Sequence, residues 1–155
     1  MKKALAIGTA LFVTGFAGFI VGAQSVNDHR RIEVTPVAPG APPRPYTPAV
    51  MAGDTLYLSG NIGNDPKTGT PPEAFADAAK QALSNQAALL QAAGLTWADV
   101  VKVNVYVKDM TKYQEFNAIY MEAIPAPRPA RTFIAVAALP ANGQLEIEGI
   151  AVKRK

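Results

Sequence analysis

Cysteine is absent from this sequence of 155 residues, and histidine occurs once, as His29. Without cysteine there are no disulfide bonds, no thiol nucleophile and no thiolate-ligated zinc. With one histidine, a serine–histidine–aspartate triad would depend on His29 alone, and a metal ion would need carboxylate ligands. The common nucleophilic and metal-dependent mechanisms therefore have few residues available to them, and we expect no metal site.

Charged residues are also sparse, at 17% of the chain, whereas apolar residues make up 49%. This composition is that of a globular protein rather than a disordered polyelectrolyte, and the length suits one domain. The net charge is only +3, with Lys2 and Lys3 at the extreme N-terminus. Because the sequence has no basic face, we expect no nucleic-acid partner.

The N-terminus carries a long apolar run, from residue 4 to residue 23, directly after Lys2 and Lys3. A positive start, an apolar segment and small residues up to Ala23 are typical of a cleaved secretory signal peptide. The alternative is an uncleaved anchor, because about twenty helical residues cross a ~30 Å hydrocarbon layer. Either one places the remainder outside the cytoplasm. We therefore expect a periplasmic or secreted protein, or an anchored one that contacts the membrane only through residues 4–23.

The rest of the chain divides into a tether at 24–30 and one domain at 31–155. Six of the thirteen residues from 36 to 48 are proline, which fixes many φ angles and removes backbone donors. We expect this segment to lie on the domain as an extended strap, after a short strand at 31–35.

Hydrophobic periodicity predicts the elements of the domain, because alternation is typical of strands and a spacing of three or four is typical of helices. Gly94 marks the end of the first helix, and Asp109 is the expected cap of the second, which ends before Pro125. Thr96 and Asp99 resemble a capping box that opens one short turn. The expected strands are 49–52, 55–59, 101–107, 131–139 and 144–153, and the first helix is 73–93.

The order ββαβαββ predicts an α+β fold, a two-layer sandwich of one sheet and two helices. Two helices can cover only one face of such a sheet. The other face needs a partner, so we expect self-association.

Arg131 is the most informative polar residue, because it begins a strand directly after a proline-stiffened loop, Pro125 to Pro129. A planar, permanently charged guanidinium at such a place suits two-point binding of a carboxylate. The alternative is a surface arginine that donates to a loop carbonyl.

Two carboxylates, Glu146 and Glu148, share one face of the last strand. Either both face solvent or pair with lysines, or one is partly desolvated, in which case its raised pKa suits it to orient or deprotonate a water. In a simple hairpin about Asn142-Gly143, Glu146 would lie ~20 Å from Arg131 at ~3.3 Å per residue. The two could share a pocket only through another strand order or a second subunit.

Four further residues are candidates for a binding site. Asn117 lies beside the aromatic stripe of the second helix, where its amide could bind a ligand or tie the helix to a loop. Tyr46 in the strap could close a pocket or anchor the strap. Ser59 and Gly60, at a strand end, could present backbone groups to a ligand or form a turn.

Seven short motifs stand in collinear order between about residue 31 and residue 154. They are Pro45-Tyr46, Leu58-Ser59-Gly60-Asn61-Ile62, Asp65-Pro66-Lys67-Thr68-Gly69, Val107-Lys108-Asp109-Met110, Asn117-Ala118-Ile119-Tyr120, Pro129-Ala130-Arg131-Thr132 and Glu146-Ile147-Glu148-Gly149-Ile150-Ala151. Together they resemble the motifs of the RidA/YjgF family of reactive-intermediate deaminases.

The resemblance implies a chorismate-mutase-like fold, with a mixed sheet in which the last strand is inserted elsewhere than in a hairpin. It implies a homotrimer whose sheets form a central barrel, with pockets at the subunit interfaces. The implied activity is hydrolysis of 2-enamine and 2-imine acids, such as 2-aminoacrylate and 2-iminobutyrate, to 2-keto acids and ammonia, without metal or cofactor. By similarity, Arg131 would bind the substrate carboxylate and Glu146 would position the attacking water. The remaining pocket residues would be Tyr46, Ser59, Gly60 and Asn117.

Three features depart from the family pattern, and all of them touch the pocket rim. Arg44 stands where glycine is usual, Asn61 and Gly63 replace a common glutamine and a typical proline, and the loop between Tyr120 and Arg131 is short and rich in proline. These departures leave two alternatives open. One is a deaminase of a different, larger amino or imino compound, and the other is a non-catalytic trimer that binds small carboxylates or acts as a chaperone-like module.

Overall fold

The computed structural model of the protein describes residues 29–32 and 44–154. The predicted signal or anchor at 1–23, the first part of the tether at 24–28 and the strap residues 36–43 lie outside this part of the chain. Among the residues it does describe, no helix is long and apolar enough to cross a membrane.

The described residues form one six-stranded sheet and two α-helices. The elements are β1 His29–Ile32, β2 Ala49–Ala52, β3 Thr55–Asn61, α1 Phe75–Ala92, β4 Val100–Val107, α2 Tyr113–Ala123, β5 Ala130–Ala135 and β6 Leu145–Val152. Short 3₁₀ turns lie at Trp97–Asp99, Met110–Lys112 and Pro140–Asn142.

The strand order is β1-β2-β3-β6-β4-β5. β4 and β5 are parallel, since α2 crosses between them, and the other neighbours are antiparallel. The last strand therefore lies inside the sheet, and a simple hairpin of β5 and β6 about Asn142-Gly143 is wrong. The predicted α+β class, with a mixed sheet and two helices, is confirmed.

β4 shows why the sheet has two different faces. Val103, Val105 and Val107 are fully buried, as their alternation predicts. Val101 was expected on the same face, but it is 49% exposed. The reason is a shift of register against β6 between Val100 and Lys102, which reverses the alternation at that point.

The helices pack on the face that carries these valines. Small alanines on α1 let this helix approach the sheet closely, and α2 adds larger side chains to the same core. The side chains that the two helices bury are Phe75, Ala78, Ala79, Ala82, Leu83, Gln86, Leu89, Leu90, Phe116, Ile119 and Tyr120. We call this side of the sheet the helix-covered face.

The helix ends agree with most of the capping predictions. Thr96 and Asp99 form a capping box around the first 3₁₀ turn. Asp109 accepts a hydrogen bond from the Thr111 backbone N–H at 2.9 Å. It therefore caps the 3₁₀ turn that leads into α2, rather than α2 itself.

Several strand boundaries differ from the predicted ones, most of them by one or two residues. β1 begins at His29, two residues before the expected start, because it pairs with β2 from that residue onward. β5 ends at Ala135 rather than at Leu139 because its partner β4 ends at Val107. An edge strand ends where its partner strand ends. The residue pattern of the edge strand alone does not show that position.

The opposite side of the sheet has no helix from the described part of the chain, and we call it the open face. Tyr57, Ile134 and Val152 lie on it and are 51%, 42% and 37% exposed. Large apolar side chains that stay exposed on an uncovered sheet face are a feature of protein interfaces. Self-association through this face stays a prediction.

Candidate active site

Arg131 lies on edge strand β5, on the helix-covered face. Its register partner is Val103, and side chains of paired residues point to the same side of a sheet. The guanidinium Nη2 donates to Asn117 Oδ1 on α2 at 2.6 Å. Arg131 therefore donates to a side chain on α2 and not to a loop carbonyl, as the alternative interpretation had it. The bond brings two of the candidate residues together.

Four aromatic rings surround the guanidinium, and we call them the aromatic cluster. Tyr113, Phe116 and Tyr120 come from one face of α2, and Phe133 from β5. The Cζ atom of Arg131 lies 4.6 Å from the ring centre of Tyr120 and 5.7 to 5.8 Å from the other three ring centres. The sequence pattern indicated an aromatic stripe on the second helix, but it did not indicate that these rings surround an arginine.

Glu146 lies on the open face, in register with Tyr106 of β4. Its carboxylate sits against the backbone of Gly60, because a Cβ atom at position 60 would lie 2.7 Å from Glu146 Cδ. Partial burial raises the pKa of Glu146, and the charge of Glu148 raises it further. Glu146 is thus protonated more readily than an ordinary glutamate, and only glycine leaves room for it here.

Glu148 has a different role from Glu146. Its Oε1 accepts hydrogen bonds from Asn104 Nδ2 at 2.9 Å and from the Tyr106 hydroxyl at 2.8 Å. The hydrogen bond to Glu148 is the largest cause of the raised pKa of Tyr106. Within the described residues, no hydrogen bond reaches the carboxylate of Glu146. Glu148 is therefore held by its neighbours, whereas Glu146 is available to a water or a ligand.

A cavity of about 550 Å³ lies between α1 and the segments that flank β3. The candidate residues Tyr46, Ser59 and Gly60 line it, together with Arg44 and several amides. Ser59 Oγ donates to the Thr47 carbonyl at 2.7 Å. Ser59 therefore holds the end of the strap against β3, and this contact places Tyr46 at the cavity.

The amides in the cavity wall are linked to one another. Asn85 Nδ2 on α1 donates to Asn61 Oδ1 at 3.1 Å and to the Asn64 carbonyl at 2.8 Å. Asn61 Oδ1 also accepts from the Gly63 backbone N–H at 2.9 Å. This network fixes the loop after β3 and gives the cavity a polar wall.

The six candidate residues form two groups within one chain. Tyr46, Ser59 and Gly60 line the cavity, and Glu146 lies against Gly60. The second group is Arg131 with Asn117. β4 separates the strands that carry Arg131 and Glu146, and the two side chains point to opposite faces. The observed strand order thus excludes the hairpin of β5 and β6 that the sequence analysis considered. It still does not bring Arg131 and Glu146 together within a single chain.

The model of the protein family described as Endoribonuclease L-PSP matches residues 35–153 of this chain. The chain belongs to the RidA/YjgF family. A RidA/YjgF relative from Dermatophagoides farinae, named 2-iminobutanoate/2-iminopropanoate deaminase, is 41% identical over 126 residues, which cover 79% of this chain and 96% of that protein.

Solved RidA/YjgF structures share the fold. The YjgF gene product from E. coli is 39% identical with a TM-score of 0.72, over 81% of this chain and 99% of that one. E. coli TdcF with bound serine is 36% identical with the same TM-score and the same coverage. The mixed sheet with an inserted last strand is therefore the fold of this RidA/YjgF protein.

The reaction that the resemblance implies for this RidA/YjgF chain uses neither a metal nor a cofactor. Among residues 29–32 and 44–154, no three histidine, aspartate or glutamate side chains come together as a metal site. The expectation of a reaction without metal or cofactor stays a prediction.

Gln86 is a site-building residue that the sequence analysis missed. It is fully buried on α1, and its Nε2 donates to the carbonyls of Ser59 at 2.9 Å and Ile147 at 2.6 Å. These carbonyls flank the register shift that separates Leu58 and Asn61. A glutamine within the apolar stripe of α1 was the available signal, since a buried amide needs partners.

Proposed function

We propose that the protein hydrolyses 2-enamine and 2-imine acids of the 2-aminoacrylate and 2-iminobutyrate type to 2-keto acids and ammonia. The observation that carries the proposal is a pair of side chains whose surroundings suit them to this reaction. They are the guanidinium of Arg131 and the carboxylate of Glu146. The first is held by Asn117 and the aromatic cluster, and the second has a raised pKa and lies against Gly60. Relatives named 2-iminobutanoate/2-iminopropanoate deaminase support the same reaction.

The chemistry needs little beyond orientation. Arg131 binds the substrate carboxylate through two N–H groups, and an enamine first tautomerises to the imine. Glu146 accepts a proton from a water as the water oxygen bonds to the C2 carbon of the protonated imine. Glu146 passes this proton to the amino nitrogen and then accepts the proton of the new C2 hydroxyl, so that the C2 carbonyl forms as the C–N bond breaks and ammonia leaves. Holding water and imine together supplies much of the acceleration.

We infer that the site is completed between chains. Arg131 and Glu146 lie on opposite faces of one sheet, so one substrate can meet both only if a second copy supplies one of them. The exposed apolar side chains of the open face offer the surface on which copies would associate. We propose the homotrimer that the family resemblance implies, with the substrate at each subunit interface.

We propose that the protein is exported, with cleavage after Ala23 or with residues 4–23 kept as an anchor. The apolar N-terminal run after Lys2 and Lys3 supports this location. N-terminal sequencing of the native protein tests it, because a mature chain that begins at Gln24 supports cleavage. A native chain that retains Lys2 and is recovered from the cytoplasm would overturn export.

The decisive experiment generates the imine in place with an amino-acid oxidase and follows release of the keto acid and ammonia. We expect the wild-type protein to accelerate release and Arg131→Ala to abolish the effect. Arg131→Lys keeps the charge but loses the planar fork, so its activity should also be strongly reduced. Arg154→Ala is the matched control, because this exposed arginine contacts Asp99 and Ala98, which belong to neither group of candidate residues. No acceleration over buffer by the wild type would end the proposal.

The same preparation distinguishes the alternatives. Thermal stabilisation by 2-keto acids that is lost in Arg131→Ala, without turnover, would replace the enzyme with a carboxylate-binding protein. Turnover confined to imines of large amino acids would support a larger substrate. Cleavage of RNA without keto-acid release would point instead to the activity in the family description.

A further inference from the structure

We propose that Tyr120 is a positioning residue for Arg131, whose ring fixes the plane of the guanidinium so that its fork meets the substrate carboxylate. The proposal rests on the proposed function, since it concerns the arginine that binds the substrate there. It assigns Tyr120 no contact with the substrate and no step in the chemistry.

The guanidinium of Arg131 needs a further contact to fix its orientation, because the side chain is long and few hydrogen bonds hold it. Its guanidinium makes one hydrogen bond to a side chain in the described part of the chain, from Nη2 to Asn117 Oδ1. A single bond leaves rotation about its own axis free. A ring face in contact with the guanidinium removes that rotation, because the attraction is strongest when the cation lies over the ring.

Tyr120 is the member of the aromatic cluster best placed to do this. Its ring centre lies 4.6 Å from Arg131 Cζ, and the other three lie at 5.7 to 5.8 Å. Tyr120 is only 3% exposed, whereas Tyr113 is 39% exposed. A ring packed in the core keeps one orientation and can fix the orientation of a group that stacks on it. A partly exposed ring can move.

The ring, and not the hydroxyl, carries the effect. The Tyr120 hydroxyl is buried and has no hydrogen-bond partner among the described residues, so it neither anchors Arg131 nor reaches a ligand at the surface. Arg128 also lies near, but it donates to the Ile124 carbonyl at 2.9 Å and the Met121 carbonyl at 3.2 Å. Arg128 is therefore engaged in ending α2, and Arg131 is the cation that the ring orients.

The test compares two substitutions at position 120 in the full protein. Tyr120→Phe keeps the ring and should leave KM and kcat for the imino acid within about twofold of wild type. Tyr120→Leu removes the ring and should raise KM roughly tenfold, the scale of a partly desolvated cation–π contact, with a smaller change in kcat. Phe75→Leu is the matched control, since the Phe75 ring is also buried and lies 5.7 Å from Lys112 Nζ. It should lower the Tm to a similar extent without changing KM.

Two further measurements separate positioning from packing. In an Arg131→Lys background, Tyr120→Leu should no longer change KM, because the fork that the ring orients is gone. Fluorinated phenylalanines at position 120 keep the shape of the ring while weakening its negative face. They should raise KM with each added fluorine, and this series remains informative if the leucine variant does not fold.

Binding of 2-oxobutyrate, measured by calorimetry, provides a readout that does not require turnover. A wild type that binds this probe without hydrolysing imines would refute the proposed function, while weaker binding to Tyr120→Leu would still support positioning. Three results would overturn the positioning role itself: an unchanged KM in Tyr120→Leu, equal damage from Tyr120→Phe, or an undiminished effect in the Arg131→Lys background.

Discussion

Gly60→Ala should strongly reduce activity while leaving the fold intact. The added methyl group would lie 2.7 Å from Glu146 Cδ and 3.1 Å from its Cγ, well inside contact distance. Gly60 is not among the glycines with positive φ, so alanine itself causes no backbone strain at this position. The clash falls on the flexible end of a glutamate, which must rotate away from position 60.

The size of each effect follows from this geometry. Rotating Glu146 out of its favoured position costs about 1 kcal/mol of stability, the scale of an off-rotamer side chain, so the Tm should change little. Displacing a general base lowers the rate by about a hundredfold or more. We therefore expect kcat/KM for imine hydrolysis to fall by roughly two orders of magnitude.

A double-mutant cycle measured by keto-acid release and thermal denaturation checks the cause. Glu146→Ala removes the group that collides with the methyl, so adding Gly60→Ala to it should cost nothing further. Near-normal activity in Gly60→Ala alone would refute the placement of Glu146 as the group that orients water. An equal additional loss in the Glu146→Ala background would show that Gly60 acts through something else.

Three other substitutions test separate parts of the site. Glu148→Gln keeps a hydrogen-bond acceptor but removes a charge that raises the pKa of Glu146. The acid limb of the kcat/KM profile, where ionised Glu146 is lost as pH falls, should therefore move to lower pH, and an unmoved limb would contradict Glu146 as the base. Gln86→Leu leaves two buried strand carbonyls without a donor, so urea denaturation should show a loss of about 2 kcal/mol, and unchanged stability would count against this role. Arg44→Gly removes a cation from the cavity wall; kcat/KM should fall more for imino acids with acidic side chains than for the alanine-derived imine, and equal changes would exclude Arg44 from substrate selection.

The sequence predicted the elements and faces well because both depend on local periodicity. The alternation of Val103, Val105 and Val107 places these side chains in the core whatever the strand order is. The order itself is decided by pairing between distant segments, and the local turn signal at Asn142-Gly143 indicated the wrong neighbour. Likewise, the shifted register at Val101 comes from its partner strand, which the β4 pattern does not show.

In the candidate site, too, local patterns identified individual residues, whereas their contacts depend on pairing between distant segments. Arg131 and Asn117 were each recognised, and they meet because the β4–α2–β5 crossover brings α2 over β5. The contact of Glu146 with Gly60 depends on β3 and β6 being neighbours, which no short-range pattern indicates. The roles of these four residues remain predictions, since their positions in one chain do not show a substrate between them.

The central position of β6 also determines when the sheet can be completed. β6 is the last element of the described residues, yet it joins the β1–β3 strands to the β4–β5 pair. Until β6 leaves the ribosome, the β1–β3 strands and the β4–β5 pair each keep an unpaired inner edge, and the strand that joins them is missing from the sheet. The sheet can therefore be completed only once β6 has been synthesised, and until then the inner edges of the earlier strands stay accessible to chaperones.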